Sequence, residues 1–138
     1  MDYWQSELSR PLASGCFGEN LTTQGVDLSA LLINQRLRIG TAVLEVSVPR
    51  QPCSTFAGWL GERGWLKRWT ARGDCGTYLR IISPGRIQPG DSITMDTPPN
   101  HDITMRIAFA AKMGNRTLAQ RVIEAGCLPA HQHNNLRT

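Results

Sequence analysis

The segment VSVPRQPCSTF, residues 46–56, sets a thiol beside a permanent cation on a stiff stretch of backbone. Pro52 fixes its own φ and restricts Gln51 before it, while Pro49 limits how far the preceding extended run continues. Cys53 is therefore approached along a constrained path. Arg50 keeps its charge at any ordinary pH, so a guanidinium folded back near the sulfur would favour the thiolate. A thiolate is the form that ligates soft metals or carries a transferable sulfur. The competing reading is a small buried residue at the end of a strand.

A second group stands upstream. Glu19, Asn20 and Thr22 lie in GCFGENLTTQG, residues 15–25, where Gly15, Gly18 and Gly25 let the backbone approach a ligand closely. Asn20 and Thr22 offer donors and acceptors suited to a polar head such as phosphate, or else form an ordinary Asx-type turn. A third group interleaves Arg63, Lys67, Arg68 and Arg72 with Trp65 and Trp69. It reads as an anion-binding rim, as a nucleic-acid surface with stacking aromatics, or as core tryptophans beneath a solvated basic face. His101, His131 and His133 have no carboxylate partner in view and read as solvated. Cys16, Cys75 and Cys127 are scattered, without a CxxC pair or zinc spacing, and read as small buried free thiols.

The elements that must hold these groups are short. Residues 2–8 have helical character ended by Pro11, and Asp27 can cap a brief turn. LRIG and TAVLEVSV are strands, the second placing Ala42, Leu44, Val46 and Val48 on one face. Residues 54–73 read as helix interrupted at Gly58, Gly61 and Gly64. TYLRIIS is a strand, Ile87 begins a short extended piece, and SITM is the last strand, with Pro-Gly turns between. Strands at this spacing point to a small barrel or a strongly bent sheet. Beyond Pro98-Pro99, residues 104–112 and 117–125 read as two helices, with Ile103, Ile107 and Ala110 facing Leu118, Val122 and Ile123. Gly126 suits the end of the second helix.

The whole chain has 138 residues, 41% of them hydrophobic, which suits one core. Its net charge of +4 favours anionic partners only in a general way. No run approaches a membrane span and no secretory signal is visible at the start, so the expected location is cytoplasmic, with no membrane partner.

FGENLTT at residues 17–23, followed by Pro49-Arg50-Gln51-Pro52-Cys53, resembles the paired signatures of MOSC domains, β-barrel modules named after the C-terminal part of molybdenum cofactor sulfurases. The resemblance covers about residues 3–95, and the helical tail is similar to that of the YiiM-like branch. It implies a mainly β fold with α: a MOSC-type β-barrel over residues 1–97, incomplete at its N-terminus, and a helical extension over 98–138. Members of the family usually carry further barrel strands and a His-Gly-Gly segment ahead of this point, so an unpaired edge is expected, which a homo-oligomer could complete.

The resemblance further implies the molybdenum cofactor (molybdopterin), with Cys53 as metal ligand, Arg50 beside it, and Glu19, Asn20 and Thr22 lining the cofactor pocket. The implied activity is reduction of N-hydroxylated compounds, including N-hydroxylated nucleobases, with electrons from a separate reductase. Catalysis would rest on Cys53 and Arg50. The alternative is a carrier of sulfur or cofactor, without turnover, that uses a Cys53 persulfide. Nucleic-acid binding through the Trp and Arg/Lys segment is the weakest reading.

Overall fold

Gly40, with φ of 57°, closes the tight turn between strand β1 (Arg36–Ile39) and strand β2 (Ala42–Pro49) in the computed structural model, which describes residues 2–136. β3 (Thr77–Ser83) pairs with the other side of β2, and β4 (Ile93–Met95) with the other side of β1. The result is one antiparallel sheet in the order β3-β2-β1-β4. Alternation dictates its sidedness: Leu37 and Ile39 of β1 are buried while Arg36 and Arg38 are exposed. On β2, Ala42, Leu44 and Val46 are buried and Val48 packs partly against the core.

Glu45 breaks that pattern. It is buried on β2, and the guanidinium groups of Arg36, at 3.1 Å, and Arg80 close on its two oxygens from the flanking strands. A buried carboxylate needs such partners.

The expected sequence of sheet followed by C-terminal helices is present, but the sheet is not a closed barrel. The outer edges of β3 and β4 carry no strand partner among the described residues. Four short strands fall well below the about eight that enclose a filled barrel interior. Ile87 adds no strand. Its segment is instead pinned to the β1–β2 turn, where Thr41 N donates to Arg86 O at 3.1 Å and Arg86 N donates to Thr41 Oγ1 at 2.7 Å.

The architecture is mixed α/β. Helices α1 (Asp2–Leu8), α2 (Ser54–Leu60) and α3 (Trp65–Arg72) lie around the first loop, and α4 (Met105–Lys112), α5 (Arg116–Ala125) and α6 (Ala130–Leu136) follow the sheet. α2 runs through Gly58, and the chain breaks at Gly61 and Gly64, both with positive φ. Asp27 caps the 3₁₀ turn Leu28–Ala30 by accepting from Ser29 N at 3.1 Å. Thr104 and Asn115 cap α4 and α5 in the same way, and Gly126 ends α5 in the left-handed region.

α4 packs on β2, burying Met105, Ala108, Phe109 and Ala111, with Ala119 and Val122 of α5 also buried. The buried stripe is thus centred on Ala108 and Phe109, with Ile107 and Ala110 only half-buried. Two histidines correct the solvated reading. His101 Nδ1 accepts from Ile103 N at 3.0 Å, so its Nε2 carries the proton donated to Ile33 O at 2.8 Å. His133 is buried in α6 and its Nε2 accepts from Leu128 N at 3.1 Å. Only His131 is exposed.

Candidate functional site

Phe17 opens the FGENLTT loop, Phe56 follows Cys53 in the first turn of α2, and Trp69 sits on α3. All three are buried, and both phenylalanines meet Trp69 at an interplanar angle of 87°, with centroids 5.6 and 5.1 Å away. These perpendicular contacts are favoured aromatic geometry. They draw the two sequence motifs, far apart in the chain, against one helix.

Arg50 marks the meeting point. Its guanidinium lies 4.3 Å from the centroid of Phe56 and 6.0 Å from that of Trp69. Gly18, with φ of 75°, is where the loop passes this cation: a Cβ there would stand 3.9 Å from Arg50 Nη2. The cation is held by ring faces, and its backbone N–H donates to Gly76 O at 3.3 Å.

Beside it is a cavity of about 170 Å³ whose wall includes Glu19, Thr22, Arg50, Trp69 and Asp74. One oxygen of Glu19 accepts from the Gly15 N–H and from Thr22 Oγ1, the latter at 3.3 Å. Its other oxygen, Oε2, is buried with no partner, and so is Nε1 of Trp69. Asp74 accepts from the buried Ser29 hydroxyl at 2.5 Å. Cys75 also borders the cavity, donating to Gly76 O at 3.0 Å, and burial pushes its thiol up to about 12, which keeps it neutral.

The structure therefore brings together Arg50, Glu19 and Thr22 of the expected site. Asn20 is exposed and is not part of the cavity wall. Cys53 is exposed at the N-cap position of α2, in extended conformation with φ of −142°, also outside that wall. Among the wall residues outside the expected cofactor site are Trp69, weighed only as part of a basic rim or of the core, and Asp74. Trp69 reads as core from its spacing with Trp65, which it also is, and Asp74 lies in the Gly-rich exit from α3, where no periodic signal marks it.

Trp65 is 1% and Trp69 4% exposed, so neither can stack on a nucleic-acid base. A larger hollow of about 410 Å³ lies between α1 and α3, but its cations are engaged. Arg68 is 3.8 Å from Glu7, and Arg72 lies 3.8 Å over the ring of Tyr3. Among the described residues no group of three or more His, Cys, Asp or Glu is placed to hold a metal ion. A metal would have to arrive largely coordinated by something else, and Cys53 is an exposed thiol able to add one bond. The orphaned polar atoms, the stacked guanidinium and the glycine at its side fit the polar ring of a cofactor carrying such a metal.

The open sheet, the order of the two motifs and their convergence define a class: the chain belongs to the MOSC domain family, which it matches over residues 1–94. It is similar to the uncharacterized protein YflK of Bacillus subtilis (strain 168), at 34% identity over 129 residues, covering 91% of this chain and 58% of that protein. A protein of Gibberella moniliformis (strain M3125 / FGSC 7600) described as a reductase is 34% identical over 82 residues, covering 59% of this chain and 15% of its own length. Each of these curated relatives extends well beyond the part this chain spans. The crystal structure of YiiM from Geobacillus stearothermophilus superposes with a TM-score of 0.85 at 26% identity, over 99% of this chain and 71% of that one. The chain is thus a YiiM-like MOSC protein. Among the described residues no helix is long and apolar enough to cross a membrane.

Proposed function

We propose that this chain binds the molybdenum cofactor and takes part in the reduction of N-hydroxylated compounds, N-hydroxylated nucleobases among them, with electrons from a separate reductase. The observation that carries this reading is the convergence of FGENLTT and PRQPC on one cavity with orphaned polar atoms. The similarity to a protein described as a reductase supports it. In this reading Arg50, Glu19 and Thr22 orient the cofactor's polar ring, and Cys53 supplies a thiolate ligand at the exposed start of α2. When bound, the cofactor supplies the two-electron redox chemistry. The balanced change is cleavage of the substrate N–O bond, with two electrons and two protons converting R–NH–OH to R–NH₂ and water.

The test is reduction of an aromatic amidoxime by the full chain, expressed with ample molybdate and driven by a reduced viologen dye. Turnover that disappears in Cys53→Ala, with the cofactor ring still retained, supports the proposal. Turnover that survives Cys53→Ala contradicts it.

The exposure of Cys53 and its place outside the cavity wall favour a second reading, in which it carries a persulfide for delivery without turnover. Metal-free protein that accepts cyanide-labile sulfur on Cys53 and shows no amidoxime reduction supports that alternative.

A further inference from the structure

β3 reads Thr-Tyr-Leu-Arg-Ile-Ile-Ser, residues 77–83, and its chemistry is nearly the same in both directions. A hydroxyl stands at each end, a large exposed side chain comes next at Tyr78 and Ile82, an aliphatic one at Leu79 and Ile81, and Arg80 is central. The outer edge has no strand partner among the described residues. On the inner side, Leu79 and Ile81 stand opposite Val46 and Leu44, two residues of the core. In the cross-strand row Leu37, Leu44, Ile81 the first two are buried, but Ile81 is 65% exposed, so the covering layer stops one strand short of the edge. We infer that this edge pairs with the same edge of a second copy of the chain, the two β3 strands antiparallel about a twofold axis at Arg80. The inference does not depend on what the cavity holds.

Symmetry selects the register. A twofold axis perpendicular to a sheet keeps each face continuous and sets one residue opposite itself. With Arg80 at the axis, Tyr78 meets Ile82 of the partner subunit, Leu79 meets Ile81 of the partner subunit, and Thr77 meets Ser83 of the partner subunit, each pair occurring twice. Aromatic with β-branched, aliphatic with aliphatic and hydroxyl with hydroxyl are pairs that stabilise antiparallel strands. An axis at Ile81 would set Tyr78 against Pro84, which has no N–H to donate, and Thr77 against Gly85, which is pressed on the Thr41 backbone. An axis at Leu79 would set Ser83 against the buried Cys75.

Charge and size agree with a second copy. Arg80 opposite itself is a like-charge contact, but each Arg80 is already bound to the buried Glu45 of its own β2, so every copy brings the counter-charge with it. The other free edge is a contrast: β4 has three residues and runs on into Asp96 and Pro98-Pro99, features that discourage pairing. A joint of seven residues is about 23 Å long and buries less than the about 1,600 Å² of a standard interface, so the dimer is a weak one.

The experiment is oxidative cross-linking of the full chain carrying Cys53→Ser, which removes the exposed native thiol, followed by sizing without reductant. Arg80→Cys in that background should form a cross-linked dimer, because directly opposed Cα atoms lie about 4.5–5.5 Å apart, within disulfide reach. Tyr78→Cys should not, because its counterpart in the second copy lies four residues, about 13 Å, along the strand. Cross-linking as fast in Tyr78→Cys as in Arg80→Cys overturns the register and with it the inference. Sedimentation of the unmodified chain is the second measurement, independent of whether any variant folds. A monomer–dimer equilibrium that tightens as salt rises is expected, because each copy carries a net charge of +4. A dimer that salt dissociates is held by ion pairs and overturns the inference. A monomer at every concentration overturns it too and leaves the edge to an extended segment of another polypeptide. Growth beyond the dimer contradicts it equally, since pairing of β3 with the β4 edge of the next copy does not close.

Discussion

Two cysteines, Cys53 and Cys75, show how position decides the chemistry of one residue type. Cys53 is exposed, whereas Cys75 is 1% exposed and Cys127 is buried, with burial raising both of the latter thiols. Timed alkylation with mass mapping is expected to modify Cys53 well before Cys75 or Cys127, and Cys53→Ser should remove that fast phase. Cys75 also sets a pH dependence. Its thiol stays neutral to about 12 when folded, against an ordinary value of 9.0, so between those pH values the unfolded chain has lost a proton the folded chain keeps. Stability from this group is complete below the lower value and falls as pH rises, by at most about 1.4 kcal/mol per pH unit. Urea titrations across that range should show a flatter decline for Cys75→Ala than for the wild type. The sequence showed Arg50 and Cys53 to be close in the chain. It did not show that the guanidinium stacks on Phe56 and Trp69, because Trp69 is brought there only by packing with Phe17 and Phe56.

Among the elements, the β1–β2 turn and the loop after β3 interlock. A Cβ at Gly40 would collide with the Arg86 carbonyl oxygen, and one at Gly85 with the Thr41 backbone. Gly40→Ala also meets a positive φ, so it is expected to cost about 2 kcal/mol or more by denaturant unfolding, whereas Gly90→Ala, with open space around it, should cost only its backbone strain of about 1 kcal/mol. On β2, Glu45→Ala leaves two half-exposed arginines without their carboxylate, and the same measurement should show a loss of about 1–2 kcal/mol. Strands with clean alternation, such as LRIG and TAVLEVSV, were legible from sequence, as were the glycine breaks around α3. The helix AHQHNNL was not, because its burial rests on His133 bonding to Leu128 N and not on an apolar stripe. The phase of α4 was misplaced for a related reason: Thr104 caps the helix so that Ala108 and Phe109 face inward, and the apolar run around them fits more than one register.

For the molecule as a whole, the open sheet is the main departure from a barrel. β3 has no outer partner among the described residues and presents Tyr78, 57% exposed, and Ile81, 65% exposed. An unguarded apolar edge favours strand pairing, so sedimentation of the purified chain is expected to show concentration-dependent association that Ile81→Lys weakens, while a monomer at every concentration would contradict edge pairing. The family-level arrangement was legible because two short motifs in fixed order carry it. The unpaired edge was likewise expected from the resemblance, whereas the aromatic wedge that joins the motifs depends on contacts distant in sequence. The most direct test of the account is the molybdenum and pterin content of chain purified after expression with molybdate. The account predicts that the wild type retains both, that Arg50→Ala loses both, and that Cys53→Ala keeps the pterin while its metal becomes readily lost. Wild-type protein free of pterin, or pterin retained undiminished in Arg50→Ala, would contradict it.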